Sequence, residues 1–175
     1  KTIKTQKKLQ VLSGHTHRVT SANMSSDNQF LVTTSWDQQA NVWETISGRL
    51  LYSLSEHDGH VYHANFIPHQ HRLVTVTRKR ELKIWDVDLG MQIIAINGVV
   101  EPLSVPSFNN DGTKMILISG KKAIIYDTTD GKACAELSSI SDEFRLAKFS
   151  PDSSLVVTTT VDHVVQVFHR LKYQW

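Results

Sequence analysis

The residues Asn41-Val-Trp43-Glu44 begin a pattern that returns three more times along the chain. Each copy ends an alternating apolar segment with an aromatic residue, and the later copies are Lys83-Ile-Trp85, Ile124-Ile-Tyr126 and Gln166-Val-Phe168. The aromatic residues recur at intervals of 42, 41 and 42 residues. A period of this length predicts a repeat architecture in which each copy is one small supersecondary unit.

Other landmarks keep the same period. Glycines follow the first three aromatic residues by five positions, where a hairpin turn needs a residue that tolerates positive φ; they are Gly48, Gly90 and Gly131. Each period then divides into four short β-rich segments separated by turn-forming residues, and no stretch shows the 3.6-residue periodicity of a helix. We therefore predict an all-β chain, which excludes doubly wound and barrel enzyme architectures.

The chain resembles the WD-repeat family of β-propellers. The residues that carry the resemblance are Gly14-His15, Asp37, Trp43-Glu44 and Trp85-Asp86. It extends from about Leu9 to Phe168 and implies a β-propeller segment of four four-stranded blades, with strands a to d running from the centre outward. The blades would span approximately residues 14–54, 55–96, 97–137 and 138–175, and residues 7–12 would form the outer strand of a preceding or closing blade.

The resemblance also implies a structural tetrad in each blade. A His before strand a, a Thr or Ser on strand b, an Asp in the b–c turn and a Trp on strand c form a hydrogen-bonded chain, which the donor and acceptor capacities of these groups permit. In the first repeat the matching residues are His15, Thr33, Asp37 and Trp43. All four positions of this repeat therefore match the family.

The later repeats keep less of the tetrad. The matching residues are His57, Thr75 and Trp85 in the second repeat, and Thr158 and Asp162 in the fourth. The register selects His57 rather than its neighbour His60, and Lys79 at the Asp position predicts an incomplete network. Ile140 and Phe168 replace the His and the Trp of the fourth repeat. The third repeat has Val99, Leu117 and Tyr126 at these positions.

Four blades leave the closure of the ring open. Most rings of this family have about seven blades, and propellers span about four to eight. The chain is therefore a piece of a larger ring, or half of an eight-bladed ring made by two copies, or a ring that closes alone. The first residue is Lys1 rather than Met, which suggests a piece of a longer chain or a processed one.

No catalytic, metal or cofactor chemistry is expected. The histidines His57, His60 and His63 are spaced by three residues, but extended strands place such residues on opposite faces. No nucleophile-and-base arrangement or phosphate-binding glycine loop stands out. The single cysteine, Cys134, permits neither an internal disulfide nor a cysteine-built zinc site. We predict a protein that is not an enzyme and that needs no cofactor.

One rim of the propeller is the candidate partner-binding surface. In this family the d–a loops and b–c turns share a face that docks partners. On this sequence the face would hold His17, Arg18, Trp36, His60, Arg78, Lys79, Arg80, Lys121 and Lys122, followed by Glu101, Asp142, Glu143 and His163. Our hypothesis is that Trp36 is an aromatic anchor beside a basic crescent of the Arg and Lys residues, suited to an acidic or phosphorylated protein segment. In the alternative, the charges are a solvated surface and Trp36 covers a neighbouring loop.

The predicted function is a non-catalytic protein–protein interaction scaffold, or a sensor and recognition module of a multidomain protein. The alternative is a nucleic-acid-binding propeller that uses the same basic face, although the net charge is only +2 and one rim tryptophan gives no aromatic interleaving. The apolar stretches are far shorter than the roughly 20 residues of a membrane helix, so no membrane partner is expected. The lone cysteine fits an intracellular location, cytoplasmic or nuclear.

Overall fold

A computed structural model describes residues 10–97 and 105–169 of the chain. These residues form fifteen strands and no helix. The strands form four antiparallel sheets that follow one another in chain order. No helix among these residues is long and apolar enough to cross a membrane. The all-β prediction is confirmed.

The first two sheets are complete four-stranded blades. The first blade contains β1 (Val19–Met24), β2 (Phe30–Ser35), β3 (Ala40–Glu44) and β4 (Leu50–Leu54). The second blade contains β5 (Val61–Phe66), β6 (Arg72–Thr77), β7 (Glu81–Asp86) and β8 (Met91–Asn97). In both blades each strand pairs with the next along the chain, so short hairpin turns connect all four strands.

The third and fourth sheets follow the same order with fewer residues. The third blade contains β9 (Ser107–Phe108), β10 (Lys114–Ser119), β11 (Lys122–Asp127) and β12 (Ala133–Ser138). The fourth blade contains β13 (Phe144–Phe149), β14 (Leu155–Thr160) and β15 (Val165–His169), which are its strands among the described residues. Residues 7–9 of the predicted outer strand 7–12, together with Val99, Glu101 and residues 170–175, lie outside the described residues.

The core lies between consecutive sheets. Val32 and Val42 of the first blade pack in one cluster with Val61 and Leu73 of the second blade, and all four are at most 1% exposed. Two further clusters join the second blade to the third and the third to the fourth. Each such side chain contributes about 1.5–3 kcal/mol when it is buried. A blade is therefore stabilised by its neighbours as well as by its own strand pairing.

The inner strands of the first two blades lie side by side. The Thr20 hydroxyl donates to the carbonyl of Val61 at 2.6 Å, and the side-chain amide of Asn23 donates to the carbonyl of Ala64 at 2.7 Å. Strand a of the second blade thus lies beside strand a of the first, and strand a of the fourth blade, β13, likewise contacts strand a of the third, β9. This is the propeller arrangement, and the four sheets do not close into a ring.

The outer strand of one blade packs on the c–d turn of the next. Gly90 has a φ of 64°, and a Cβ atom at this position would overlap the ring of Tyr52 from β4. The Tyr52 hydroxyl donates to the carbonyl of Asp88 in the same turn at 2.5 Å. Ile94 of β8 occupies the corresponding place against Gly131 of the third blade.

Residues 10–12 lie in this outer position against the first blade. A Cβ atom on Gly48 would meet the side chains of Gln10 and Leu12, and Gln10 donates to the carbonyl of Ile46 at 2.6 Å. These residues are not assigned to a strand. They nevertheless occupy the place that the outer strand of a preceding blade would take.

Candidate functional site

In the first blade one hydrogen-bond chain joins strands b and c to the d–a loop. The indole Nε1–H of Trp43 donates to Thr33 Oγ1 at 2.9 Å, and Thr33 Oγ1 lies 2.8 Å from His15 Nε2. His15 Nδ1 lies 2.8 Å from Asp37 Oδ2. Because an indole N–H only donates and a carboxylate only accepts, the chain runs from Trp43 through the hydroxyl and the imidazole to Asp37.

Asp37 also fixes the b–c turn that carries Trp36. The backbone N–H groups of Thr16 and Gln39 each donate to its carboxylate at 3.0 Å. Burial raises the pKa of Asp37, but these bonds and the bond from His15 outweigh burial, so the pKa lies below its usual value. An ionised Asp37 therefore holds the turn and the d–a loop together.

The second blade builds the same chain with a different acceptor. Trp85 Nε1–H donates to Thr75 Oγ1 at 2.9 Å, and Thr75 Oγ1 lies 2.8 Å from His57 Nε2. His57 Nδ1 then donates to the backbone carbonyl of Gln38 at 3.2 Å. Lys79 leaves this tetrad without its carboxylate, and a carbonyl from the first blade's b–c turn serves as the acceptor in its place.

His57 is neutral in the folded chain. Burial, and next the positive charge of Lys83, lower its pKa to about 4. A neutral ring with its proton on Nδ1 leaves Nε2 free to accept from Thr75, and a protonated ring would remove that acceptor. The buried chain thus depends on the uncharged imidazole.

The fourth blade keeps the hydroxyl without its partners. Thr158 is fully buried, and its Oγ1 has no hydrogen-bond partner, because Ile140 and Phe168 stand where the family has His and Trp. Asp162 is exposed, and hydrogen bonds from Thr160 and then Ser141 lower its pKa. Leu117 and Tyr126 of the third blade are buried in the apolar cluster shared with the second blade.

The rim of the first two blades carries an aromatic and cationic group that we call the Trp36 cluster: His17, Arg18, Trp36 and His60. The guanidinium carbon of Arg18 lies 5.3 Å from the centroid of the Trp36 ring. The His60 ring stacks on Trp36 at 5.3 Å, and the His17 ring lies 5.5 Å away. The His60 Nδ1 atom lies 2.6 Å from the Trp36 carbonyl, so the cluster joins two blades.

Arg78 lies beside the Trp36 cluster on the b–c turn of the second blade, which also carries Arg80. The backbone N–H of Arg78 donates to the carbonyl of His60 at 3.0 Å, which places Arg78 beside the cluster. Both arginines are exposed. The positive charge next to Trp36 therefore comes from Arg18 and this turn.

The three lysines of the predicted crescent have local partners. Lys79 pairs with Asp58 at 2.6 Å, Lys122 pairs with Glu136 at 2.8 Å, and Lys121 donates to the carbonyl of Ser141 at 2.8 Å. Paired charges attract a distant partner less than unpaired ones do. The candidate site is therefore centred on the Trp36 cluster, with Arg78 beside it.

Sequence reasoning missed the backbone features of the b–c turns. Gln38, Arg80 and His163 have left-handed φ angles of 71°, 65° and 70° at equivalent positions of three blades. None of them is Gly, Asn or Asp, so the composition gives no turn signal there. The one available clue to the role of Gln38 was Lys79, whose presence removed the carboxylate that His57 would otherwise use.

Metal coordination finds no support in the described residues. No group of three or more His, Cys, Asp or Glu side chains among them could hold an ion. His63 lies on β5, and burial lowers its pKa. His71 pairs with Asp88 at 2.9 Å on the opposite rim.

Comparison with known proteins supports the repeat assignment. The model of the WD domain, G-beta repeat, matches residues 6–44 and 48–86, which contain the first two tetrads. Protein tipD of Dictyostelium discoideum is 28% identical over 161 residues, covering 89% of this chain and 26% of that protein. The subunit I of eukaryotic translation initiation factor 3 from Drosophila ananassae is 30% identical over 125 residues, covering 71% of this chain and 36% of that protein. Repeats of the WD type therefore lie at residues 6–44 and 48–86 of this chain.

A solved structure shows the same fold. The crystal structure of the computationally designed Ika4 protein superposes with a TM-score of 0.78 at 19% identity, covering 94% of this chain and 99% of that chain. At this identity the likeness concerns the fold alone. The chain spans only 26% and 36% of the two curated relatives, so those relatives contain further segments.

Replacing the same hydroxyl in two blades should have opposite effects. Thr158→Val removes an unpaired buried hydroxyl and should stabilise the fold by about 1 kcal/mol. Thr75→Val leaves the Trp85 indole and the His57 ring without a partner and should destabilise the fold by about 2 kcal/mol or more. Urea unfolding followed by tryptophan fluorescence measures both changes, and a loss of stability in Thr158→Val would contradict the assignment of an unpaired hydroxyl.

Lowering the pH should destabilise the fold through His57. In the unfolded chain this ring titrates near its ordinary pKa of 6.5, whereas in the folded chain it titrates near 4. Between these values the unfolded state binds a proton that the folded state does not bind, so stability falls as the pH falls. The loss at pH 5 relative to pH 7.5 should be about 2 kcal/mol.

The variant His57→Gln isolates this contribution. It lacks the titrating ring, so its stability should change with pH by about 2 kcal/mol less than that of the wild-type chain over the same interval. Urea unfolding at the two pH values measures the difference. An equal pH dependence of the two chains would show that His57 does not titrate as its burial requires.

Proposed function

We propose that the chain is a non-catalytic protein-interaction module that binds an acidic or phosphorylated protein segment at the Trp36 cluster. The observation that carries the proposal is a half-buried rim tryptophan with a guanidinium over its ring and two further arginines on the neighbouring turn. Tryptophan and arginine are the residues most enriched at the energetic centres of protein interfaces. Arginine also forms strong paired hydrogen bonds with carboxylate and phosphate groups.

The rigidity of this rim supports a binding role. In the turn that carries Trp36, the Asp37 carboxylate is bonded to His15. The His57 ring bonds to the carbonyl of Gln38, and the His60 ring bonds to the carbonyl of Trp36. A side chain that is already fixed loses little conformational entropy when a partner binds. The Trp36 cluster is therefore preorganised for recognition.

The match to WD repeats supports the coarser part of the proposal. WD-repeat domains generally act as protein-interaction scaffolds, and one relative is named as a subunit of a translation initiation factor. A subunit of a translation factor works inside the cell as part of an assembly. By analogy, we place this chain in an intracellular assembly, where it would hold a partner rather than catalyse a reaction.

An array of acidic peptides, each made with and without a phosphoserine, tests the proposal. The wild-type chain should bind a subset of them, with phosphorylated forms preferred. Trp36→Ala and Arg18→Ala should each weaken binding about 10-fold or more, since such residues contribute about 2 kcal/mol at interface centres. Arg49→Ala is the matched control, because Arg49 is an exposed cation on the c–d turn at the opposite rim.

Two results would contradict the proposal. One is binding to a single-stranded RNA oligonucleotide, with a steep salt dependence, in the absence of peptide binding, which would identify a nucleic-acid-binding surface. The other is a fall in melting temperature of Trp36→Ala as severe as its loss of binding, with Arg18→Ala binding normally. That pattern would make Trp36 a structural cover for the neighbouring loop.

A further inference from the structure

Three side chains of this protein already lie against the ring of Trp36. The His60 ring stacks on it with 26° between the two ring planes, and the His17 ring lies against it at a tilt of 36°. The guanidinium of Arg18 makes the third contact. A partner therefore finds less ring surface to stack on than an open tryptophan would offer, although Trp36 remains partly exposed.

The contacting groups come from both sides of Trp36 along the rim. The backbone N–H of Trp36 donates to the carbonyl of Arg18 at 3.0 Å, in the d–a loop of the first blade. The carbonyl of Trp36 lies 2.6 Å from His60 Nδ1, in the d–a loop of the second blade. The tryptophan is thus fixed between two loops, and the same two loops supply the groups that pack on its ring.

The indole N–H of Trp36 differs from those of the other two described tryptophans. Trp43 and Trp85 each donate to a buried threonine hydroxyl at 2.9 Å. The Nε1–H of Trp36 has no acceptor among residues 10–97 and 105–169. Because an indole nitrogen only donates, this group is available to an acceptor on a partner.

Two further donors lie beside this indole. The Arg18 side chain has neither an ion pair nor a hydrogen bond within the described part of the chain. Its contact with the aromatic ring leaves the N–H groups of the guanidinium free to donate. His17 Nδ1 accepts the backbone N–H of Arg18 at 2.8 Å, so the ring proton is on Nε2 and that atom is the third donor.

The carboxylate next to Trp36 in the sequence does not satisfy these donors. The side chain of Asp37 is only 5% exposed. Its Oδ2 atom is bonded to His15 and to the backbone N–H of Thr16, and its Oδ1 atom accepts the backbone N–H of Gln39. The Asp37 carboxylate is therefore committed to the turn, and the three donors on the rim keep their capacity for an external anion.

We propose that Trp36, Arg18 and His17 form a binding site for an oxyanion, in which Trp36 acts through its indole N–H and not as an apolar anchor. The inference rests on the proposed function and names the group of the partner that this site receives, a phosphate monoester. Such a group carries more charge than a carboxylate and has three acceptor oxygens in place of two, so it is the better match for three donors. The stacked His60 ring holds the indole in position.

A Trp36→Phe variant separates the two roles of this side chain. Phenylalanine keeps an aromatic ring for His60 and Arg18 to pack on, but it has no N–H. The phosphopeptide that the wild-type chain binds most tightly in the peptide array should bind this variant about 10-fold more weakly, because a hydrogen bond to a charged group is lost. Equal binding by the two chains would show that Trp36 contributes apolar contact, and it would overturn the inference.

Inorganic phosphate at pH 7.5 tests the anion site without any peptide. In ¹H–¹⁵N spectra recorded at constant ionic strength, with chloride as the balancing ion, phosphate should shift the indole signal of Trp36 in a saturable way. The indole signals of Trp43 and Trp85 should stay in place. Arg18→Gln should weaken phosphate binding about 10-fold. Arg49→Gln is the matched control, because Arg49 is an exposed cation on the opposite rim, and it should bind phosphate as the wild-type chain does.

The anion site and the proposed function fail separately in these experiments. If acidic peptides bind but phosphate leaves the Trp36 indole signal unchanged, the donor role is wrong and the proposed function stands. If phosphate produces the expected shift but no acidic or phosphorylated peptide binds, the anion site is supported and the proposed function is wrong. An equal effect of Arg18→Gln and Arg49→Gln on phosphate binding would also overturn the inference, since it would reduce the site to general charge attraction.

Discussion

The rim of this protein depends on a buried hydrogen-bond chain that can run in only one direction. Trp43 and Trp85 have indole groups that only donate, so the threonine hydroxyls must pass the bond on and the imidazoles must accept it. Each chain needs a final acceptor, which is a carboxylate in the first blade and the Gln38 carbonyl in the second. Through this bond from His57 the second blade fixes the turn that carries Trp36. The need of the buried His57 ring for an acceptor therefore sets the geometry of the candidate binding surface.

The blades differ in the side chains that fill the tetrad positions. The first two use the polar chain, whereas the third fills the equivalent space with apolar side chains, including Leu117 and Tyr126. The fourth has replaced both partners of Thr158 and keeps a buried hydroxyl without a bond. The polar hydrogen-bond chains thus occur in the two blades that carry the candidate site, where they make the rim rigid. The third and fourth blades are held mainly by packing between sheets.

Much of the fold could be predicted from the sequence. The recurring aromatic residues, the glycines of the hairpin turns and the tetrad of the first repeat are all recognised by residue type at a fixed spacing. The acceptor for His57 could not be predicted, since it is a backbone carbonyl and every residue has one. The pairing of Lys122 with Glu136 across β11 and β12 depended on strand register, and it offsets the charge of one cation of the predicted basic crescent.

Exchange of the indole protons, followed by nuclear magnetic resonance, tests the central claim most directly. Among the described residues Trp43 and Trp85 donate their Nε1–H to buried threonine hydroxyls, whereas Trp36 lies partly exposed on the rim. The account predicts that the first two protons exchange slowly, at rates set by opening of the fold, and that the Trp36 proton exchanges quickly. Rapid exchange at Trp43 or Trp85 in the folded chain would show that the buried hydrogen-bond chain does not form.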